Sequence, residues 1–316
     1  MSVLVTGASG FVGSRLLKTL QREGLSCFGM VRDARTSGDY VSGNLEDVDS
    51  LRLACKGITT VFHCAGYAHV FSSSGDDVQR HWRTNFEGTR NLIQAAVDMG
   101  VRRLVFLSSV KAIADSGNLC VAEDFPGEPS SDYGRAKRAA EALVLEAGQQ
   151  HGMHVVNLRL AMVYGFGGRG NLERMGHLVG RGFFPPLPET GNHRSLVHVE
   201  DVINVMRLVA DDDRANGKTY IVASPEAISG RALFNLLRAV QGLPPCAWSV
   251  PAPLLRTAAR FGDGLKILIG RRMPINSEVL ERLLGSAWYS ARRIEEELGW
   301  RAKILLSEGL SEMLQR

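Results

Sequence analysis

The sequence predicts an α/β fold: a doubly wound parallel sheet followed by a smaller C-terminal lobe. Two observations carry this. Short, nearly continuous apolar runs (2–6, 26–31, 61–66, 103–109 and 155–160) alternate with longer stretches of helical periodicity. Runs of that kind belong to strands buried on both faces, and their alternation with helices makes right-handed crossovers. The second observation is Gly7-x-x-Gly10-x-x-Gly13, which follows the first strand and opens a helix through Leu16, Leu17 and Leu20.

Composition narrows the function. With 316 residues, 45% of them hydrophobic, the chain can bury a large core as one elaborate domain or two lobes. The net charge of +4 tolerates anionic ligands, but the basic residues are scattered, which excludes a nucleic-acid arm. Five cysteines (Cys27, Cys55, Cys64, Cys120, Cys246) include no Cys-x-x-Cys pair, as expected of unpaired thiols in a reducing compartment. His151 and His154 have no further ligand nearby, so no metal is expected. A strand from Ser2 leaves no room for a leader, and no stretch reaches the roughly eighteen apolar residues that cross a bilayer. The expectation is a soluble cytoplasmic protein.

In chain order, Gly7, Gly10 and Gly13 permit a tight turn, close approach to a pyrophosphate and helix–sheet packing. The helix N-terminus then offers N–H groups to the phosphates. Ser9, Phe11 and Val12 complete this candidate cofactor loop. The second strand ends in Arg32-Asp33-Ala34-Arg35, where an acidic residue suits a 2′-hydroxyl and an arginine suits a 2′-phosphate. Arg32 favours NADP(H), with NAD(H) the alternative set by Asp33. Asn44 and Leu45 lie where a side chain can reach the adenine edge, and Cys64, Ala65 and Gly66 are small enough to let a cofactor lie close.

Residues 76–99 read as a helix interrupted by Asn85, whose expected partner is backbone. The strand 103–109 delivers Ser108 and Ser109 at its C-terminal end. Ser131 and Asp132 cap a helix that sets Tyr133 and Lys137 four apart on one face. From that spacing the Lys137 ammonium is expected to lower the Tyr133 pKa from about 10, so that the phenol exchanges a proton during hydride transfer.

Beyond Leu160 the alternation loosens into Gly165-Phe-Gly-Gly-Arg-Gly-Asn171 and Phe183-Phe-Pro-Pro-Leu-Pro188. Residues 1–165 form the expected dinucleotide-binding domain, with 195–224 returning to it. The substrate lobe is 166–194 plus 225–316, with helices near 229–241, 253–270 and 276–285. Strands at 195–199 and 220–223 are expected in the main sheet. The apolar stretch around Leu254, Leu255, Ile267, Leu268 and Ile269 reads as a packed helix rather than a membrane-surface one.

Gly7-x-x-Gly10-x-x-Gly13, Asn85, Ser109 and Tyr133-x-x-x-Lys137, in this order, make the sequence resemble the extended short-chain dehydrogenase/reductases, whose sheet is Rossmann-like. The likeness is nearest to the NAD-dependent epimerase/dehydratase family acting on nucleotide sugars. Asn85-Phe-Glu-Gly-Thr-Arg-Asn91, Arg159-Leu-Ala-Met-Val-Tyr-Gly165 and Arg194-Ser-Leu-Val-His-Val-Glu-Asp201 extend it over nearly the whole chain.

That resemblance implies roles. Ser109 binds the sugar's reacting oxygen, Tyr133 exchanges its proton, and Lys137 holds the nicotinamide ribose. Asn171, Leu172 and Arg194 contact the diphosphate side of the substrate, with Lys111 and Arg282 as further contacts. Sugar dehydratases carry an Asp-Glu pair after the active-site Ser/Thr; Val110 and Lys111 stand there, so water elimination is not expected. Within the family, Ser-Ser-Val-Lys, Gly-Arg-Gly-Asn-Leu and Phe-Pro-Pro-Leu-Pro resemble enzymes of bacterial surface-polysaccharide (lipopolysaccharide O-antigen) pathways. The leading expectation is reduction of a UDP-4-keto-6-deoxy-N-acetylhexosamine to a UDP-N-acetylquinovosamine-type product. The alternatives are a UDP-sugar 4-epimerase with tightly bound NAD and a catalytically silent NADP-sensing scaffold. The resemblance further implies a homodimer through the helices that follow Asp76 and Ser131.

Overall fold

A computed structural model describes residues 2–33, 38–68, 75–115, 117–168, 170–269 and 277–315. β1 (Ser2–Thr6) passes through the glycine turn into α1 (Phe11–Arg22), then β2 (Ser26–Val31) and the short β3 (Tyr40–Ser42). Next come α2 (Val48–Cys55), β4 (Thr60–His63), α3 (Gly75–His81), a π-helical turn (Trp82–Glu87), α4 (Gly88–Asp98) and β5 (Arg103–Ser109). α5 (Asp132–His151) leads to β6 (His154–Leu160). The remainder is β7 (Met162–Tyr164), α6 (Asn171–Gly180), β8 (Arg194–His198), α7 (Val199–Asp211), β9 (Lys218–Val222) and β10 (Ala227–Ile228). Helices α8 (Gly230–Ala239), α9 (Ala252–Ile269), α10 (Ser277–Leu284), α11 (Arg292–Leu298) and α12 (Leu306–Leu314) close the chain.

The main sheet has seven strands in the order β3-β2-β1-β4-β5-β6-β9, every neighbouring pair parallel. Successive side chains of a strand point to opposite faces, and the core divides accordingly. Val3, Val5, Val105 and Leu158 pack with Leu16, Leu17, Val202 and Met206 of α1 and α7. Leu4, Leu104, Phe106 and Val155 pack with Leu92, Ala96 and Val144 of α4 and α5. Each fully buried side chain of this size stabilises by about 1.5–3 kcal/mol relative to exposure. A third core, with Tyr164, Leu172, Leu196, Phe234, Leu237 and Leu310, belongs to the C-terminal part.

The strand order reverses between β1 and β4, and ligands of such sheets bind in the crevice at the strands' C-terminal ends there. One expectation is corrected. The strand at Arg194–His198 does not rejoin the main sheet; it pairs with β7 in parallel and β10 antiparallel in a separate sheet of three. β9 takes the place beside β6, because α7 carries the chain across the sheet face before the next strand is laid. Among the described residues, no helix is long and apolar enough to cross a membrane.

Candidate active site

The turn between β1 and α1 is shaped by backbone contacts that side chains would obstruct. Gly7 adopts φ +66°, and a Cβ there would lie 2.7 Å from the Ala65 nitrogen. The Gly10 N–H donates to the Gly7 carbonyl at 2.8 Å, and a Cβ on Gly13 would collide with that same carbonyl. No side chain caps α1, and Gly10, the cap position just before it, has extended backbone. Beside it opens a cavity of about 740 Å³, lined by Ser9, Gly10, Phe11, Arg15, Phe166 and Gly168 among others. Bare N–H groups at a helix N-terminus next to open space fit a dinucleotide diphosphate. This cavity lies along α1; Ser109 and Tyr133 do not line it.

The flanks of that cradle behave unevenly. Arg32 is exposed at the end of β2 with Asp33 beside it, while Arg35 lies outside the described residues. The Asn44 Oδ1 accepts the Glu46 N–H at 3.1 Å, closing a local turn. The Leu45 side chain is buried in the core, and its carbonyl accepts from Asn91 Nδ2 at 2.9 Å. At the end of β4, Thr6 Oγ1 accepts the Ala65 N–H (3.2 Å) and meets His63 Nδ1 (2.7 Å), fixing Cys64–Gly66 against β1. Burial pushes the Cys64 thiol up to about 12, which leaves it a small neutral wall and no nucleophile.

α5 carries Tyr133 and Lys137 four residues apart, and Tyr133 approaches Ser109 at the end of β5. Ser131 Oγ accepts the Gly134 N–H at 3.1 Å, so α5 starts where its cap residue predicts and brings Tyr133 against the end of β5. The Ser109 side chain lies close enough to Tyr133 to act on its phenol, and its Oγ accepts the Lys111 N–H at 3.2 Å. The expected effect of Lys137 on the phenol is corrected. Burial pushes the Tyr133 phenol above its usual value, with the Ser109 side chain pulling the other way. The Lys137 ammonium is aimed elsewhere: it donates to the Leu107 carbonyl at 2.8 Å and sits 4.5 Å from the Phe106 ring centroid. Its own pKa falls to about 8 because burial penalises the charge more than Glu141 restores it.

Two supporting groups escaped the sequence reading. Glu141, one turn beyond Lys137, accepts from Ser108 Oγ and from Arg159 Nη2 (2.8 Å), all three buried. Its spacing from Lys137 was the available signal. His81 precedes Asn85 by one turn and meets the Tyr133 ring edge-on at 5.6 Å; nothing in the local pattern marks it. Asn85 does bind backbone, accepting the Tyr67 N–H and donating to the Tyr67 carbonyl, both at 2.9 Å.

Of the other residues assigned to the substrate side, Lys111 is exposed just past Ser109. Asn171 and Leu172 begin α6 and line a cavity of about 110 Å³ with Tyr164 and Gly168. Gly168 also lines the larger cavity, so both open on one loop. Arg194 starts β8 and donates to the Gly285 carbonyl at 3.3 Å. Arg282 is carried on α10, but its side chain lies outside the described residues.

Residues 3–223 match the NAD dependent epimerase/dehydratase family. The chain belongs to that family. A UDP-glucose 4-epimerase of Vibrio cholerae is 30% identical over 326 residues, spanning 99% of this chain and 94% of its own. A 4-hydroxy-2-methyl-3-oxo-4-farnesyl-3,4-dihydroquinoline-1-oxide ketoreductase of Stigmatella aurantiaca is 26% identical, spanning 100% of this chain and 96% of its own. A solved structure described as MoeE5 in complex with UDP-glucose and NAD superposes with a TM-score of 0.78 at 27% identity, covering 99% and 97% of the two chains. This member of the epimerase/dehydratase family is therefore an NAD(P)-dependent enzyme with a Rossmann-like sheet.

Proposed function

We propose that this enzyme transfers hydride reversibly at C4 of a UDP-linked sugar, acting as a 4-epimerase. The observation that carries the reading is Tyr133 in the first turn of α5, beside Ser109 at the end of β5, with the buried Lys137 four residues further along the same helix. When bound, the nicotinamide takes up and returns the hydride. Ser109 donates to the sugar oxygen at C4. The Tyr133 phenolate accepts the hydroxyl proton as the alcohol is oxidised, and the phenol, the form that burial favours, returns it as the ketone is reduced. Lys137, anchored on the Leu107 carbonyl, is the proposed contact to the nicotinamide ribose. Asn171, Leu172, Arg194, Lys111 and Arg282 are the proposed contacts to the UDP moiety, arginine suiting phosphate through its fixed fork of donors.

Support comes from the Vibrio cholerae relative, named a UDP-glucose 4-epimerase, and from the neighbour solved with UDP-glucose and NAD. Dehydration lacks an acid: Val110 is buried in the core, and Lys111 follows it. Reduction of a UDP-4-keto-6-deoxy-N-acetylhexosamine, for surface polysaccharide, is the second reading. The exposed Arg32, suited to a 2′-phosphate and so to exchangeable NADPH, favours it, as does the ketoreductase relative. Both readings carry with them a cytoplasmic homodimer, on the strength of the family resemblance.

Tyr133→Phe is expected to lower kcat by about 10²–10⁴-fold while UDP-sugar binding persists. Unchanged turnover would remove both readings. Purified protein that retains nicotinamide absorbance and interconverts UDP-glucose and UDP-galactose without added cofactor is the epimerase. Consumption of NADPH with the 4-keto sugar identifies the reductase.

A further inference from the structure

We infer that His81 is a positioning residue for Tyr133, holding the phenol in register with the cofactor-side loop; the inference rests on the acid/base role given to Tyr133 above. His81 ends α3 and is 5% exposed. Its ring meets Tyr133 edge-on, with centroids 5.6 Å apart and planes at 63°. It also contacts the Tyr67 ring, at 5.0 Å and 52°. Tilted and edge-on arrangements are the ones aromatic rings favour. His81 Nδ1 lies 3.3 Å from the Tyr67 carbonyl oxygen, which can only accept, so Nδ1 carries the proton.

The far end of this column is anchored independently. Asn85, from the π-helical turn, grips the Tyr67 N–H and carbonyl, both at 2.9 Å, and the Tyr67 phenol donates to Asp77 Oδ1 at 2.7 Å. The same loop touches the other half of the pair: a Cβ on Gly66 would lie 3.0 Å from Asn85 Oδ1 and 3.4 Å from Lys137 Nζ. The loop after β4 is thus a shared datum. Lys137 is set against it directly, and Tyr133 through His81.

α5 alone does not do this. Tyr133 sits in its first turn, where the helix fixes the Cα but leaves the ring a choice of rotamers. A side chain misplaced by about 1 Å loses on the order of 10²-fold in rate. Ser109 from β5 stands near the phenol, and the His81 edge packs against the ring. Burial by such neighbours also raises the phenol's pKa.

The experiment compares His81→Ala and His81→Phe with wild type in the intact enzyme. With UDP-glucose as substrate, His81→Ala is expected to lose about ten- to a hundredfold in kcat, with KM within about twofold. His81→Phe keeps the ring edge and is expected to recover at least half of that loss on a logarithmic scale. Ultraviolet titration of the phenols, differenced against Tyr133→Phe, needs no substrate. It is expected to show the Tyr133 ionisation moving down toward 10 in His81→Ala. A folded His81→Ala with wild-type kcat and an unmoved Tyr133 ionisation would overturn the inference, as would a loss confined to KM. An active Tyr133→Phe overturns the acid/base reading instead, and the titration still reports on the positioning.

Discussion

Lys137 is 4% exposed, donates to the Leu107 carbonyl and has its pKa drawn down to about 8 by burial. A lysine so placed is charged below that pH and loses its charge above it. The Tyr133 phenol moves the opposite way and keeps its proton to higher pH. The basic limb of the kcat/KM profile is therefore expected near pH 8 and belongs to Lys137. A profile flat through pH 9 would take the Lys137 charge out of the mechanism. The spacing of Tyr133 and Lys137 was legible from the helix period, and so was Ser131 as the cap. Which way the ammonium points was not, because its partners, Leu107 and Phe106, come from another strand. His81 and Glu141 illustrate the same limit: one acts across three elements, and the other gains meaning from Arg159 on β6.

Among the elements, the β1–α1 turn was the most legible, since glycines at three fixed offsets have a backbone reason at each. The structure supplies it at Gly7 and Gly13, where backbone from Ala65 and Gly7 occupies the Cβ positions. Gly7→Ala places a side chain at φ +66° and against the Ala65 nitrogen, and is expected to destabilise by about 2 kcal/mol or more and to abolish dinucleotide binding. Chemical denaturation and nucleotide titration check the two effects separately. The long helix after residue 75 was legible as a helix, but its π-helical turn was not. That turn adds a residue to the coil so that Asn85 faces Tyr67, and π-turns of this sort are frequent at functional sites. Asn85→Ala strips a donor and an acceptor from the Tyr67 backbone. It is expected to destabilise by about 1–3 kcal/mol, or more where both Tyr67 groups are left unpaired, as read by urea unfolding.

At the scale of the whole molecule, His63 ties β1, β4 and α4 together through Thr6 (2.7 Å) and Thr89 (3.0 Å). Burial, with Lys137 nearby, holds its pKa down at about 3. The unfolded chain takes up a proton near 6.5 that the folded one refuses, so stability is lost as pH falls from 6.5 toward 3. The slope is about 1.4 kcal/mol per pH unit, or about 2 kcal/mol between pH 6.5 and 5. In urea unfolding at pH 7.5 and 5.0, His63→Gln is expected to lose about 2 kcal/mol less than wild type. An equal loss in both would place the acid sensitivity elsewhere, His198 being the next buried imidazole with a lowered pKa.

The sequence by itself determined the parallel sheet, the glycine turn after β1 and the helix that sets Tyr133 and Lys137 four apart. Each of these is written in local spacing: apolar runs, glycine offsets, a helical repeat of four. The tertiary structure decided which sheet the Arg194–His198 strand joins, where the Lys137 charge is directed, and that His81 stands against Tyr133. The direction of the phenol's pKa belongs to the same group. Those depend on which distant segments share a packed interface and on how much water that interface excludes, and neither quantity has a period along the chain.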